Sequence, residues 1–187
     1  MDLTRLCFWH PVGPHGGESL EAIVLRKRGE IDTHGYTLWS FAPAVEARVV
    51  AWRSELRDRG LTACSVLCCG DTTIDPHDGM RPVPWMTESS EDGQVWASIP
   101  TNMTNYHRAA NRQGVVASAF VVTQIEAPAG LRVARPNRWL RTNRRAWEQG
   151  PVLTRGEYLI ERLPPSSDGR QVRLLLSLRD PFVVWLR

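Results

Sequence analysis

Apolar residues recur three and four apart in two stretches of the first sixty residues, and they alternate or run together between those stretches. In ESLEAIVLRKRGEI, starting at Glu18, the residues Leu20, Ile23, Val24 and Ile31 fall on one helical face. A second helix is predicted after Pro43, which suits a first helical turn. Val45, Val49, Trp52 and Leu56 form its stripe, and Gly60 stands where a helix C-terminus commonly turns left-handed. TRLCFW and YTLWSF, rich in aromatic and β-branched residues, read as strands, and LTACSVLCC reads as a third, buried one. The order β-α-β-α-β predicts a sheet with parallel neighbours joined by right-handed crossovers.

Past residue 70 the pattern changes. GDTTIDPHDGMRPVPWMTESSEDG, residues 70–93, is dense in Pro, Gly, Asp and Ser and reads as a long loop. QVWASI predicts a strand, MTNYHRAANRQG a short helix ending at Gly114, and VVASAFVVTQI a buried strand. GEYLIERL, a turn at PPSSDGR, QVRLLLSL and DPFVVWLR predict antiparallel strands. The expected fold is α+β (mixed α/β) in one domain over residues 1–187. Its halves are a βαβαβ unit at 1–70 and, beyond the 70–93 loop, a β-rich, arginine-rich region at 94–187. The later strands are expected to join one mixed sheet or a partly closed barrel.

Composition narrows the class. The chain has 187 residues, 42% of them hydrophobic, enough to bury one core. No apolar run approaches the roughly 18–20 residues of a membrane span. MDLTRLCFWHP lacks the basic and apolar regions of a signal peptide, so a cytoplasmic location is expected. The net charge of +3 conceals an asymmetry: residues 1–129 sum to −4 and residues 130–187 to +7. Within the basic half, LRVARPNRWLRTNRRAW carries arginine at 132, 135, 138, 141 and 144, with Arg145 adjoining.

Charge of one sign at a spacing of three points to a phosphate-rich partner. Residues before Pro136 should be extended. Asn137 then caps a predicted helix over RWLRTNRRAWEQ that Gly150 ends. Such a junction would gather the guanidinium groups of Arg132, Arg135, Arg138, Arg141, Arg144 and Arg145. Guanidinium forks fit phosphate bidentately, and tryptophan beside them can stack on a base. The eight tryptophans supply candidates for an aromatic pocket in Trp39, Trp85, Trp96 and Trp139. Asn105 and Tyr106, with Asn102 and His107, add groups that can hydrogen-bond or stack on a base. The alternative is a solvated face whose arginines balance the acidic first half.

Two further clusters bear on chemistry. If the first three strands run parallel, their carboxyl ends share an edge, the usual ligand site of open α/β sheets. His10, His15, Ser40, Asp71, Thr72, Asp75 and His77 would be delivered there, able to hold a divalent metal or to move protons. WHPVGPHGGES matches no phosphate-loop or dinucleotide pattern, and a helix cap accounts for it. The cysteines argue against zinc. On a strand Cys64 and Cys68 share a face about 13 Å apart, given about 3.3 Å per residue, and Cys69 points the other way. Four reduced thiols in a reducing compartment are expected.

Three functions follow as expectations. The first is a nucleic-acid-binding domain, DNA or RNA, with an arginine clamp and an aromatic pocket for an unstacked or modified base. The second is an enzyme on a phosphate-containing substrate, a hydrolase or nucleotidyl-transfer enzyme using His10, His15 and Asp71. The third is a protein adaptor pairing through an edge strand around Phe182 and Trp185.

Overall fold

Among the described residues of a computed structural model, two helices lie between the first three of fourteen strands. The structure describes residues 6–15, 18–41, 46–70, 82–83, 86–103, 105–106, 117–141, 146–150, 156–161 and 163–187. The first half runs β1 (Cys7–Pro11), α1 (Leu20–His34), β2 (Thr37–Phe41), α2 (Glu46–Asp58) and β3 (Ala63–Cys69), in the expected order. Then come β4 (Pro82–Val83), β5 (Glu88–Ser90), β6 (Ala97–Ser98), β7 (Asn105–Tyr106) and β8 (Ala117–Glu126). The last third holds β9 (Arg132–Val133), β10 (Arg138–Leu140), β11 (Trp147–Gln149), β12 (Tyr158–Ile160), β13 (Arg170–Gln171) and β14 (Leu174–Leu186).

Local sequence sets both ends of α1 and the end of α2. Ser19 caps α1 by accepting the Ala22 N–H at 3.2 Å, and Gly35 closes it in the left-handed region at φ 77°. On α2, Val49, Trp52 and Leu56 are buried as their spacing predicts. Gly60 follows at φ 66°, a conformation that suits a residue without Cβ.

Ten strands form one mixed sheet in the path β11-β10-β12-β1-β3-β14-β5-β6, with β8 on β14 and β2 on β8. The α+β class is therefore as expected, and the sheet is open. Parallel pairing is narrower than expected. β1 and β3 are parallel, whereas β2 enters only through β8 and runs antiparallel to it. β8 is long and apolar on both faces, so it accepts β2 on one side and β14 on the other. The parallel three-strand edge expected to carry His10, Ser40 and Asp71 is not formed.

Three other expectations are corrected. QVRLLLSL and DPFVVWLR are not two strands but one, β14, bent between Leu178 and Val183, with Phe182 at φ 62°. Part of the predicted 70–93 loop is strand, since Glu88–Ser90 pairs with both β14 and β6. The predicted helix near 138 is a strand, β10, which pairs with β11 as Arg138↔Gln149, Trp139↔Glu148 and Leu140↔Trp147; of the helix expected over 103–114, Asn105–Tyr106 is strand β7 paired with β4, and residues 107–114 lie outside the described residues. Trp139 and Leu140, adjacent in sequence, go to opposite faces of the strand, each against a different part of the core. The Gly150 N–H closes the hairpin on the Asn137 carbonyl at 2.7 Å.

The sheet curls until β1 faces the β2–β8 pair, with the Phe8 and Phe120 ring centroids 5.0 Å apart. Trp52 of α2 meets Phe8 edge-on at 5.3 Å and fills the opening. Burying such a side chain contributes about 1.5–3 kcal/mol each. α1 packs on β2 and β8 and is pinned by polar contacts. Buried Lys27 donates to Glu30 and to the Leu38 carbonyl, both at 2.9 Å, while the Thr37 hydroxyl also donates to Glu30. The opposite face of β1 and β3 carries Cys7, Trp9, Leu67 and Cys69 beneath the small β9–β13 sheet. Among the described residues no helix is long and apolar enough to cross a membrane.

Candidate functional site

Alternation along β1 sends Leu6, Phe8 and His10 to the curled face and Cys7 and Trp9 to the other. β12 lies antiparallel to β1 with Trp9 opposite Tyr158, so the next step of that register sets His10 against Glu157. The His10 Nδ1 and the Glu157 Oε1 are 3.1 Å apart. From β2, the Trp39 indole N–H donates to the His10 Nε2 at 3.1 Å. An indole nitrogen only donates, so Nε2 is an acceptor and the ring carries its proton on Nδ1. That N–H in turn donates to Glu157. The imidazole itself is buried among Trp39, Phe41 and Phe120.

Glu157 leads from this buried chain to a small open pocket of about 100 Å³ lined by Arg48, Trp52, Trp139, Leu140, Arg141, Glu157 and Tyr158. Three segments build it. α2 brings Arg48 one turn before Trp52, the guanidinium lying 5.9 Å from that ring. β10 brings Trp139 and Leu140, with Arg141 just beyond, and the start of β12 brings Glu157 and Tyr158. Trp139 and Tyr158 meet edge-on at 6.5 Å. The result is an apolar wall, two guanidiniums and one carboxylate that is only 13% exposed.

The arginine series divides across this framework. Arg132 sits on β9 opposite Gln171, and Arg135 is exposed in the link to β10. Arg138 binds Glu161 at 3.0 Å and covers Trp147, whose ring Arg59 also approaches. Arg141 reaches Glu148 at 2.8 Å but is 57% exposed. The spacing of three is therefore not one helical stripe: it spans two sheets and their connection. Arg144 and Arg145 lie outside the described residues, as do Asp71, Thr72, Asp75, His77, Trp85 and His107.

The other predicted residues disperse. His15 pairs its backbone with Glu18 in a turn, away from the pocket lining. Asn105 and Tyr106 form β7, and their side chains are outside the described residues. Trp39 is committed to His10, and Trp96 lies under Arg187 at 4.2 Å. Of the expected aromatic pocket, Trp139 remains. Phe182 and Trp185 are buried in β14 between neighbours, so no edge strand is open there. Among the described residues no three His, Cys, Asp or Glu converge on a point that could hold a metal ion. All four cysteines are buried and free.

Sequence reasoning missed Arg48, Trp52 as a pocket wall, Glu157 and Tyr158. Strand alternation in GEYLIERL could have paired Glu157 with Leu159 on one face, but nothing local joins it to His10. The chain matches no protein-family model, and comparison with curated proteins and with solved structures gives no match.

Proposed function

We propose that the protein binds nucleic acid, with arginines on its basic half holding phosphates and the pocket between α2 and β10–β12 receiving a base. The observation that carries this reading is the pocket itself. Arg48 and Arg141 stand with an apolar wall of Trp52, Trp139 and Tyr158, between α2 of the acidic half and strands of the positively charged half. Guanidinium is suited to phosphate and aromatic surface to an unstacked base. Four buried free thiols suit a reducing, cytoplasmic setting. The test is titration of intrinsic tryptophan fluorescence with short single- and double-stranded DNA and RNA at two salt concentrations. Quenching with affinity that falls steeply with salt is expected. No binding at low salt would end the proposal.

One observation favours a second reading, an enzyme acting on a phosphate-containing substrate. Glu157 enters the pocket backed by His10, an arrangement that can hold a proton acceptor in place. In that case Glu157→Gln abolishes turnover of phosphoester substrates while leaving their binding intact.

A further inference from the structure

We infer that Glu157 is the specificity-determining residue of this pocket, and that it selects a base presenting two adjacent hydrogen-bond donors, the N1–H and N2–H₂ edge of guanine. The inference rests on the nucleic-acid reading above.

Three observations support it. First, the carboxylate is held. Trp39 fixes the His10 tautomer at 3.1 Å, and the Nδ1–H of His10 fixes Oε1 at 3.1 Å. A carboxylate oriented by a buried neighbour presents its remaining lone pairs in one direction. Second, it is the pocket's acidic side chain, and 13% exposure leaves it little water to lose on binding. A ligand seated against it must donate hydrogen bonds and must not be anionic at that end. Third, the flanking charges are positive. Arg48, and less strongly Arg141 with Glu148 paired to it at 2.8 Å, favour phosphate nearer the solvent and disfavour a guanidinium or ammonium ligand that would otherwise match the carboxylate.

Guanine meets all three conditions. Its N1–H and N2–H₂ can both reach one carboxylate, whose two oxygens offer about four acceptor sites. Adenine and cytosine present an amino group beside a ring acceptor, which faces the carboxylate unfavourably. Thymine and uracil present one N–H between two carbonyls, which is worse.

The experiment uses the full chain and a short single-stranded thymidine oligomer whose central position is guanine, hypoxanthine, cytosine or thymine. Binding is followed by fluorescence anisotropy at two salt concentrations. About tenfold tighter binding is expected for guanine than for thymine, with hypoxanthine between them because it lacks the amino group. Glu157→Gln should remove the difference between guanine and thymine. Equal, salt-sensitive binding of all four oligomers overturns the base preference but leaves the polyanion reading standing. Absence of binding to any oligomer overturns both. Should Glu157→Gln not fold, a central 1-methylguanine tested on the unaltered protein decides. Binding equal to thymine supports the contact at N1, and binding equal to guanine refutes it.

Discussion

Trp39 and His10 lie on strands that share no ladder, yet the indole N–H of one is 3.1 Å from the ring nitrogen of the other. With Glu157 on Nδ1, both imidazole nitrogens are used, and His10 acts as a spacer between two residues rather than as a proton donor to the pocket. Its removal leaves a buried indole N–H and a mostly buried carboxylate unsatisfied. His10→Ala should therefore cost about 2–4 kcal/mol in chemical denaturation. A midpoint equal to that of the unaltered protein would show that the chain Trp39–His10–Glu157 holds nothing together.

The arginines should differ in their contribution to binding. Arg48→Ala should reduce the slope of log affinity against log salt by about 1, the signature of one phosphate contact, and Arg141→Ala should reduce it by less because Glu148 already pairs with that guanidinium. Arg138→Ala should change it less, because Glu161 and the Trp147 ring already occupy that guanidinium. Its effect should fall on stability, by about 1 kcal/mol or less for a partly exposed pair. Equal slopes for the three variants would contradict this division.

Burial pulls the Lys27 ammonium down from 10.5 to about 8 against the opposing pull of Glu30. Between those values the unfolded chain binds the proton that the folded protein has released, so stability gained from this group rises with pH. It rises by at most about 1.4 kcal/mol per pH unit, and below pH 8 the group is a cost. Denaturation of the protein and of Lys27→Met across that window should show their difference moving in favour of the lysine as pH increases. A constant difference would refute the shift.

The thiols act in the opposite direction. Burial pushes Cys64 and Cys69 up to about 12, and Cys7 and Cys68 well above the ordinary 9.0. Above pH 9 the unfolded chain loses protons that the folded protein keeps, so stability falls with further alkalinity. A chromogenic thiol reagent should therefore label the native protein slowly and report four groups after denaturation. Rapid labelling of any cysteine in the native state would contradict its burial. The Lys27 comparison is made between two proteins with the same thiols, so this effect cancels there.

Two glycines should respond to alanine with opposite signs. A Cβ on Gly70 would stand 1.7 Å from the Val12 carbonyl oxygen, where neither backbone can yield without parting the ends of β1 and β3. Gly70→Ala should lower stability by about 3 kcal/mol or more. Gly29, within α1, has nothing within 4 Å of that position. Gly29→Ala should add about 0.5–1 kcal/mol through helix propensity. Thermal unfolding of the two variants separates the outcomes.

What could be foreseen and what could not divides by distance along the chain. The spacing of Val49, Trp52 and Leu56 located α2, and the cysteine alternation of β3 placed Cys64 and Cys68 on one face and Cys69 on the other. These are local signals. β2 was assigned as a strand but not to β8, because no pattern in YTLWSF favours a partner eighty residues away over its neighbour in sequence. The arginine spacing misled because a period of three resembles a helix, while Trp139, Leu140 and Trp147 fit a hairpin equally well on paper and better in a sheet. His10 stands out in the sequence by residue type alone. Its partner Glu157 lies 147 residues away, and pairing them requires the β1–β12 register that only the folded chain reveals.

That dependence is greatest at β14. One strand borders β3 along its first half, β5 at Trp185 and Leu186, and β8 at Leu175–Leu178 and again at Val183–Leu186. Until Leu174–Leu186 arrives, β3 and β8 each present a bare apolar edge to the surroundings, the kind that recruits other chains. Sheet formation must wait for the segment farthest from β1, which predicts slow folding dominated by long-range closure. Refolding yield should fall as protein concentration rises, since the interval before closure is when two chains can complete each other's edges.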